Sequence, residues 1–357
     1  MIFPRKPPKP RIPRPKIPRR HHRRNAVTVC IAAIATGLFR VNDKDEEHPV
    51  IIGASDRMIT AGDIIEYEPD QSKISRITPF IVALSAGDDA IQAEILNRTE
   101  NHISKILSDD PYFFAVEEAA DVYSRKLIEH KKQVIERTVL QPVGLKWDTY
   151  MSKYSEGIPY WFEERMKKVF GDTDLPITET IIAGVDESGA HIFVIDESGY
   201  IRRQDRAGFA AVGIGAWHAE SQFMFERHSP LKSYSDTLFL TYVAKRRSEV
   251  APGVGRDTDL FAISLNGGYI ELLEEQDALK KVYNNLIKKT ENDTIKLRNT
   301  INNIMIKVQE ERKAKYEKIW QDKIRKWEKS GKLEDSPIKA KGTAYFIEPD
   351  GTSKKIL

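Results

Sequence analysis

The stretch "RRHHRRNAVTVCIAAIATG", from Arg19 to Gly37, changes character midway: basic and imidazole side chains up to Arg24, then apolar, small and β-branched ones from Ala26. Thr28 stands just inside the apolar part. It is either an early residue of a buried strand or, if the leader is removed, a new N-terminus. A threonine hydroxyl is a weak nucleophile until a base takes its proton. A free α-amine, with an ordinary pKa of about 7.7–8.0, is a base suited to that task. Three further segments follow within sixty residues: "GASDRMITAG" with Asp56, Thr60 and Gly62, "QSKISRI" with Lys73, and "LSAGDDA" with Gly87. Other chemistries lack their residues. The eight histidines are scattered apart from His21–His22 and Cys30 stands alone, so no metal site and no cofactor is expected. "GVGRDTD" and "GIGAWHAES" have glycines in the wrong surroundings for a phosphate cradle and read as turns, and no G-x-S-x-G elbow occurs.

These residues must be held by a body of strands and helices. "VTVCIAAIA" and "VIIGASD" read as strands covered on both faces, joined by the charged linker "NDKDEEH". "FIVALSAG" is a third strand and runs into a helix over "DDAIQAEILNRTENHISKIL". Helical patterning returns in "FFAVEEAADVYSRKLIEHKKQVIERTVL" and over the aromatic-rich 147–170. "ETIIAGVDESGAHIFVIDESGYIRRQDRAGFAAVGIG" reads as a meander, with "DESG" turns at two points. A helix over 231–249, a turn at "APGVG" and the strand pair "DLFAISLNGGYIELL" complete the body. Strands, helices, strands, helix and strands in that order predict antiparallel sheets with helices layered outside them.

The ends differ from the body. Residues 1–27 carry ten Lys/Arg and no acid, with seven prolines before Asn25, so the segment is expected to be extended polyproline II or disordered. The remainder has a net charge of −7, which offers no composition-level case for nucleic-acid binding. After Leu273 the chain turns to Lys, Glu, Asn and Ile. Leu297, Ile301, Ile304, Met305 and Val308 form a stripe in a Gly- and Pro-free run over 294–329, predicting one long helix packed on the body or on a neighbouring subunit. "YFIEPDGTSKKIL" reads as a terminal hairpin. No apolar run reaches the length of a membrane helix, no secretory signal is discernible, and one cysteine suits a reducing compartment, so the cytoplasm is the expected location.

The spaced set resembles the proteasome β-type family of N-terminal-nucleophile hydrolases, including its bacterial HslV and Anbu groups. That family has a strand-opening Thr, then an A-[AS]-D-x-R-x-T-x-G stretch, a lysine before an apolar strand, and [ST]-A-G leading into a helix. "TVCIAAI" is similar to the Anbu start, and "IIAGVDESGAHIFVIDESGYI", "AAVGIGA" and "GRDTDLFAI" resemble later family strands. The resemblance covers 28–272, with an enlarged helical region over 105–178 and an extra hairpin loop at 40–49. It implies a four-layer αββα sandwich of two antiparallel sheets flanked by helices, extended here by a long C-terminal helical segment. The implied domains are a leader or propeptide, 1–27, a hydrolase domain, 28–273, and a charged extension, 274–357.

The resemblance also implies roles. Thr28 would be the nucleophile once 1–27 are removed, with Lys73 a cation beside it and Asp56 compensating that charge. The Gly87 amide would stabilise the oxyanion, and Thr60 and Gly62 would lie along an extended peptide substrate. Cys30 is expected to be a buried small hydrophobe. The chain departs from the family at three places: Val27 stands where a glycine usually precedes the nucleophile, Ile214 replaces a serine in "GIG", and Glu249 is followed by Pro252–Gly253 in place of a Ser-Gly pair. A register with Ala26 in the first position would remove the nucleophile. The alternatives are therefore a threonine peptidase that self-associates into a ring or helical stack, an inactive proteasome-like scaffold whose basic arm binds an acidic partner, and a nucleic-acid adaptor working through the arm.

Overall fold

The computed structural model describes residues 28–41, 44–61, 65–68, 72–107, 114–155, 160, 164, 178–330, 344–347 and 353–356. The chain divides into two compact units, one ending at Lys280 and the other beginning at Lys281. The first unit is α+β, with two five-stranded antiparallel sheets. One sheet holds β1 (Cys30–Val41), β2 (Lys44–Asp56), β10 (Phe209–Val212), β11 (Thr258–Ser264) and β12 (Gly268–Glu271), in the order β10-β1-β2-β11-β12. The other runs β5-β6-β7-β8-β9, from β5 (Ile74–Thr78), β6 (Ile81–Gly87), β7 (Thr178–Asp186), β8 (Gly189–Ile195) and β9 (Ile201–Arg203). A separate two-stranded ladder joins β3 (Ile59–Ala61) to β4 (Ile65–Tyr67).

Three apolar clusters account for the layering. Between the sheets, Cys30, Ala32 and Ile51 of the first meet Leu84, Ile181 and Ile192 of the second. Strands buried on both faces carry near-continuous apolar runs, which is why β1, β6 and β7 read as they do. The outer face of the second sheet packs on α1 (Asp89–Ile106) and α2 (Val116–Ile135) through Ile95, Ile103, Tyr123 and Leu127. The outer face of the first packs on α4 (Ala216–Phe225) and α5 (Tyr234–Ser248) through Phe223, Leu240 and Ala244. The four layers are thus αββα.

Several local expectations are corrected. In the charged stretch 40–49 the strands run further than expected: β1 and β2 stay paired out to Val41↔Lys44, so the charged residues 44–48 lie on a ladder. The 178–215 region is not one meander. Its first three strands pair in sequence, but β10 crosses to the other sheet and pairs with β1, Cys30↔Val212. "GIGAWHAES" is a turn running straight into α4, which the glycines concealed. The helix over 113–140 ends in a π turn at Glu136–Leu140 and a 3₁₀ turn at Gln141–Val143. The 147–170 reading corresponds to α3 (Trp147–Ser155), and most of the residues beyond it lie outside those described. The C-terminal helix, α6 (Leu273–Ser330), starts 21 residues before the predicted boundary and has 58 residues. In the second unit, β13 (Ala344–Ile347) and β14 (Ser353–Ile356) form the predicted hairpin. Among the described residues no helix is long and apolar enough to cross a membrane. The leader, 1–27, lies outside the described residues.

Both "DESG" turns use one device. The aspartate accepts from the serine amide two residues on, at 2.8 Å for Ser188 and 2.9 Å for Ser198, and the glycine takes a positive φ. The first turn is also the centre of an ion cluster. His191 Nδ1 lies 2.7 Å from Asp205 Oδ2 and its Nε2 lies 3.3 Å from Asp186 Oδ1. Arg203 pairs with Asp205 and Glu117, and the other Asp186 oxygen accepts the Val116 amide at the start of α2. The hydrogen bond to Asp205 raises the His191 pKa, against burial. Burial works against ionisation of Asp186 and Asp205, but hydrogen bonds outweigh it and lower both. The histidine's stabilisation is present below its unfolded pKa of about 6.5 and lost as pH rises through the higher folded value; that of the aspartates is present above about 3.9 and lost as pH falls through the lower folded values. His191→Gln is therefore expected to cost about 1–3 kcal/mol in urea unfolding at pH 5.5. The deficit should shrink above pH 8. A deficit independent of pH would contradict the ionic origin.

Candidate active site

The topology gathers several strand ends at one end of the first sheet. Antiparallel pairing places the start of β1 beside the ends of β2 and β10, and β11 begins next to Asp56. Thr28 sits two residues before β1, one step outside the strand that the sequence pattern begins there. Its hydroxyl donates to Asp56 Oδ1, and Lys73 Nζ donates to Thr28 Oγ1 at 2.6 Å. Lys73, just ahead of β5 on the second sheet, also donates to Asp56 Oδ1 at 3.2 Å and to the Met58 carbonyl. Thr28 and Asp56 are buried, at 1% and 0% exposure, and the Lys73 side chain is 11% exposed. Two further amides complete the carboxylate: Val29 N at 3.1 Å on Oδ1 and Gly255 N at 2.8 Å on Oδ2.

Three of the residues singled out from sequence, Thr28, Asp56 and Lys73, are thus in direct contact. Gly87 is not among their hydrogen-bond partners. It closes β6 on the facing sheet with a φ of 129°, and the next residue, Asp88, caps α1 by accepting the Ile91 amide at 3.2 Å. Two residues back, the Ser85 carbonyl lies 3.4 Å from Cys30 Sγ, which links the strand bearing Gly87 to the one that follows Thr28. Thr60 is placed at the centre of β3, opposite Glu66 of β4. Gly62 lies outside the described residues. Cys30 is wholly buried, and burial pushes its thiol up to about 12, so it is a packing residue with no thiolate to offer.

Two of the three departures from the family pattern fall on described residues, and Val27 lies outside them. In "GIG", Gly213 has a φ of 92°, and a Cβ there would lie 2.9 Å from Thr28 Cγ2 and overlap the Thr28 carbonyl. Gly215 N donates to that carbonyl at 3.2 Å. The turn therefore grips the Thr28 backbone, while Ile214 packs on the outer cluster with α4 and α5. Glu249 does not reach Thr28. Its Oε1 is 2.8 Å from both Lys245 Nζ and Arg246 Nη1. Lys245 was not singled out from sequence: it falls in the helix expected over 231–249, and it is fully buried. Its ammonium also donates to the Gly255 and Arg256 carbonyls, both at 2.9 Å, and so anchors the loop whose Gly255 amide holds Asp56. Burial lowers its pKa, partly offset by Glu249. The only sequence hint was the i,i+4 spacing of Lys245 and Glu249.

The arrangement presents a buried hydroxyl between a carboxylate and an ammonium. Among the described residues no group of three or more His, Cys, Asp or Glu side chains is arranged to hold a metal ion. No protein-family model matches the chain, and neither does any characterised protein with which it was compared. Asp56→Ala leaves Lys73 buried without its counter-ion and should destabilise the fold by about 3–5 kcal/mol, read from urea unfolding. Gly213→Ala is expected to cost about 1–3 kcal/mol through backbone strain and to displace Thr28. Wild-type stability in both variants would contradict this account of the site.

Proposed function

We propose that this chain is a proteasome-like hydrolase of the N-terminal-nucleophile class, cleaving peptide amide bonds with Thr28 after residues 1–27 are removed. The observation that carries the reading is the 2.6 Å contact of Lys73 Nζ with Thr28 Oγ1, with Asp56 shared between them. An ammonium on the hydroxyl oxygen favours the negative charge that develops there as it attacks. Asp56 already accepts from Thr28, Val29, Lys73 and Gly255, so the base must come from elsewhere.

Release of the leader would supply it. The freed Thr28 amine takes the hydroxyl proton as Oγ1 bonds to the substrate carbonyl carbon. The tetrahedral oxyanion needs backbone donors, and the Gly87 amide is the residue proposed for it. The amine then passes its proton to the leaving nitrogen as the C–N bond breaks, and water hydrolyses the ester by the reverse sequence. Thr60 and Gly62 are proposed to lie along the peptide. Self-association into a ring or helical stack and a cytoplasmic location belong to the same proposal. The rival reading is an inactive assembly protein whose basic arm binds an acidic partner. Val27 before Thr28 and the apolar Ile214 in the gripping turn favour it.

Intact mass of the purified protein separates the two: the hydrolase requires a chain beginning at Thr28. An electrophilic peptide that reacts only with a hydroxyl and free α-amine on one residue should label this trimmed chain. Thr28→Ala should remain unlabelled and inactive, Thr28→Ser should retain activity, and Lys73→Ala should lose about 10²–10³-fold in kcat. A functional particle with its leader attached, or equal labelling of Thr28→Ala, would leave the scaffold reading.

A further inference from the structure

The second unit carries a surface that the hydrolase reading does not use. From Lys288 to Lys307 every side chain of α6 is exposed, although the stretch includes Leu297, Ile301 and Ile304. An isolated helix draws little stability from propensity alone and normally depends on packing an apolar face. Here that face has a seven-residue period. With Ile301 placed at position a, the other a positions are Ile287, Thr294 and Val308. The d positions are Tyr283, Thr290, Leu297 and Ile304. All four a positions are β-branched, the preference of parallel two-stranded coiled coils.

We infer that the α6 stretch from Tyr283 to Val308 pairs, parallel and in register, with the same stretch of a second copy of this chain. The two threonines within the seam fit such burial. Thr290 Oγ1 donates to the Leu286 carbonyl at 2.9 Å and Thr294 Oγ1 to the Thr290 carbonyl at 2.8 Å. Each hydroxyl is therefore satisfied inside its own helix, and covering these positions strands no donor. Register in a parallel pair sets Thr294 against Thr294 and Ile301 against Ile301, like against like. The one oppositely charged g–e pair within the seam favours the same orientation. Asp293 at g and Arg298 at the following e face each other across a parallel pair, whereas an antiparallel pair sets g against g and e against e. The seam also has a defined end, because Glu311, Lys315 and Lys318 occupy the next a and d positions. Ile295 and Ile306 fall at b and f, outside it.

The inference is independent of any chemistry at Thr28. The full-length chain tests it by disulfide trapping, with the native Cys30 buried. Ile301→Cys places two thiols across an a layer, within the Cα separation of roughly 4.4–6.8 Å that a disulfide spans. Mild oxidation should convert most of this variant to a covalent dimer that reductant reverses. Asn299→Cys, at position f on the opposite face, should give at least about tenfold less dimer, and Leu297→Asp added to Ile301→Cys should suppress trapping to that level. Absence of dimer from Ile301→Cys, equal trapping at 299, or trapping unaffected by Leu297→Asp would overturn the inference.

Discussion

The first unit depends on one buried carboxylate. Asp56 has no solvent exposure, so its charge must be answered by the protein. Four donors do so, from Thr28, Val29, Lys73 and the loop before β11. Those donors come from both sheets and from the segment after α5. The carboxylate is therefore satisfied only when the sandwich is closed and the loop is seated, and the candidate site is a property of the whole fold.

Two lysines divide the work around it. The Lys245 ammonium spends its three protons on Glu249 and two carbonyls, which fixes a loop and leaves nothing for chemistry. Lys73 also has three acceptors, but one is the Thr28 hydroxyl. Since Lys73 donates to that oxygen, the hydroxyl proton is directed to Asp56. The resting network is saturated: every donor and acceptor facing Oγ1 is already engaged.

Much of this was legible in the sequence where a residue type has few ways to be satisfied. The double-sided apolar runs of β1, β6 and β7 specified covered sheets, whereas Thr28, Asp56 and Lys73 were grouped only by the resemblance of their segments to a known family. What escaped reading was decided by tertiary context. The charges at 44–48 resemble a linker, but ladder pairing with β1 holds them extended. Lys245 resembles a surface residue because the carbonyls that receive it lie ten and eleven positions away. β10 resembles the next strand of a meander, and only the vacant edge of β1 explains its crossing to the other sheet. Gly213 looks like a turn glycine, but its close approach to the Thr28 carbonyl is a contact across 185 positions.

Hydrogen-bond lengths alone would have pointed to a different centre. Ser188 Oγ, His191 Nε2, His191 Nδ1 and Asp205 Oδ2 are joined by successive 2.7 Å contacts, the outline of a serine relay. Electrostatics argues against that use. Ser188 Oγ is equally 2.7 Å from Asp186 Oδ1, so a second carboxylate competes for its proton. The imidazole lies between two carboxylates and its pKa is raised, which favours the imidazolium, a form that donates to the serine oxygen and takes no proton from it. The same cluster receives the α2 amide and ties β7, β8 and β9 together, a sufficient structural reason for each member. At Thr28 a cation likewise donates to the hydroxyl oxygen, but the hydroxyl proton goes directly to Asp56, with no imidazole between them. Both hydroxyls thus lie in closed networks between a cation and a carboxylate, and what separates the proposed nucleophile from Ser188 is the α-amine that a chain beginning at Thr28 would add.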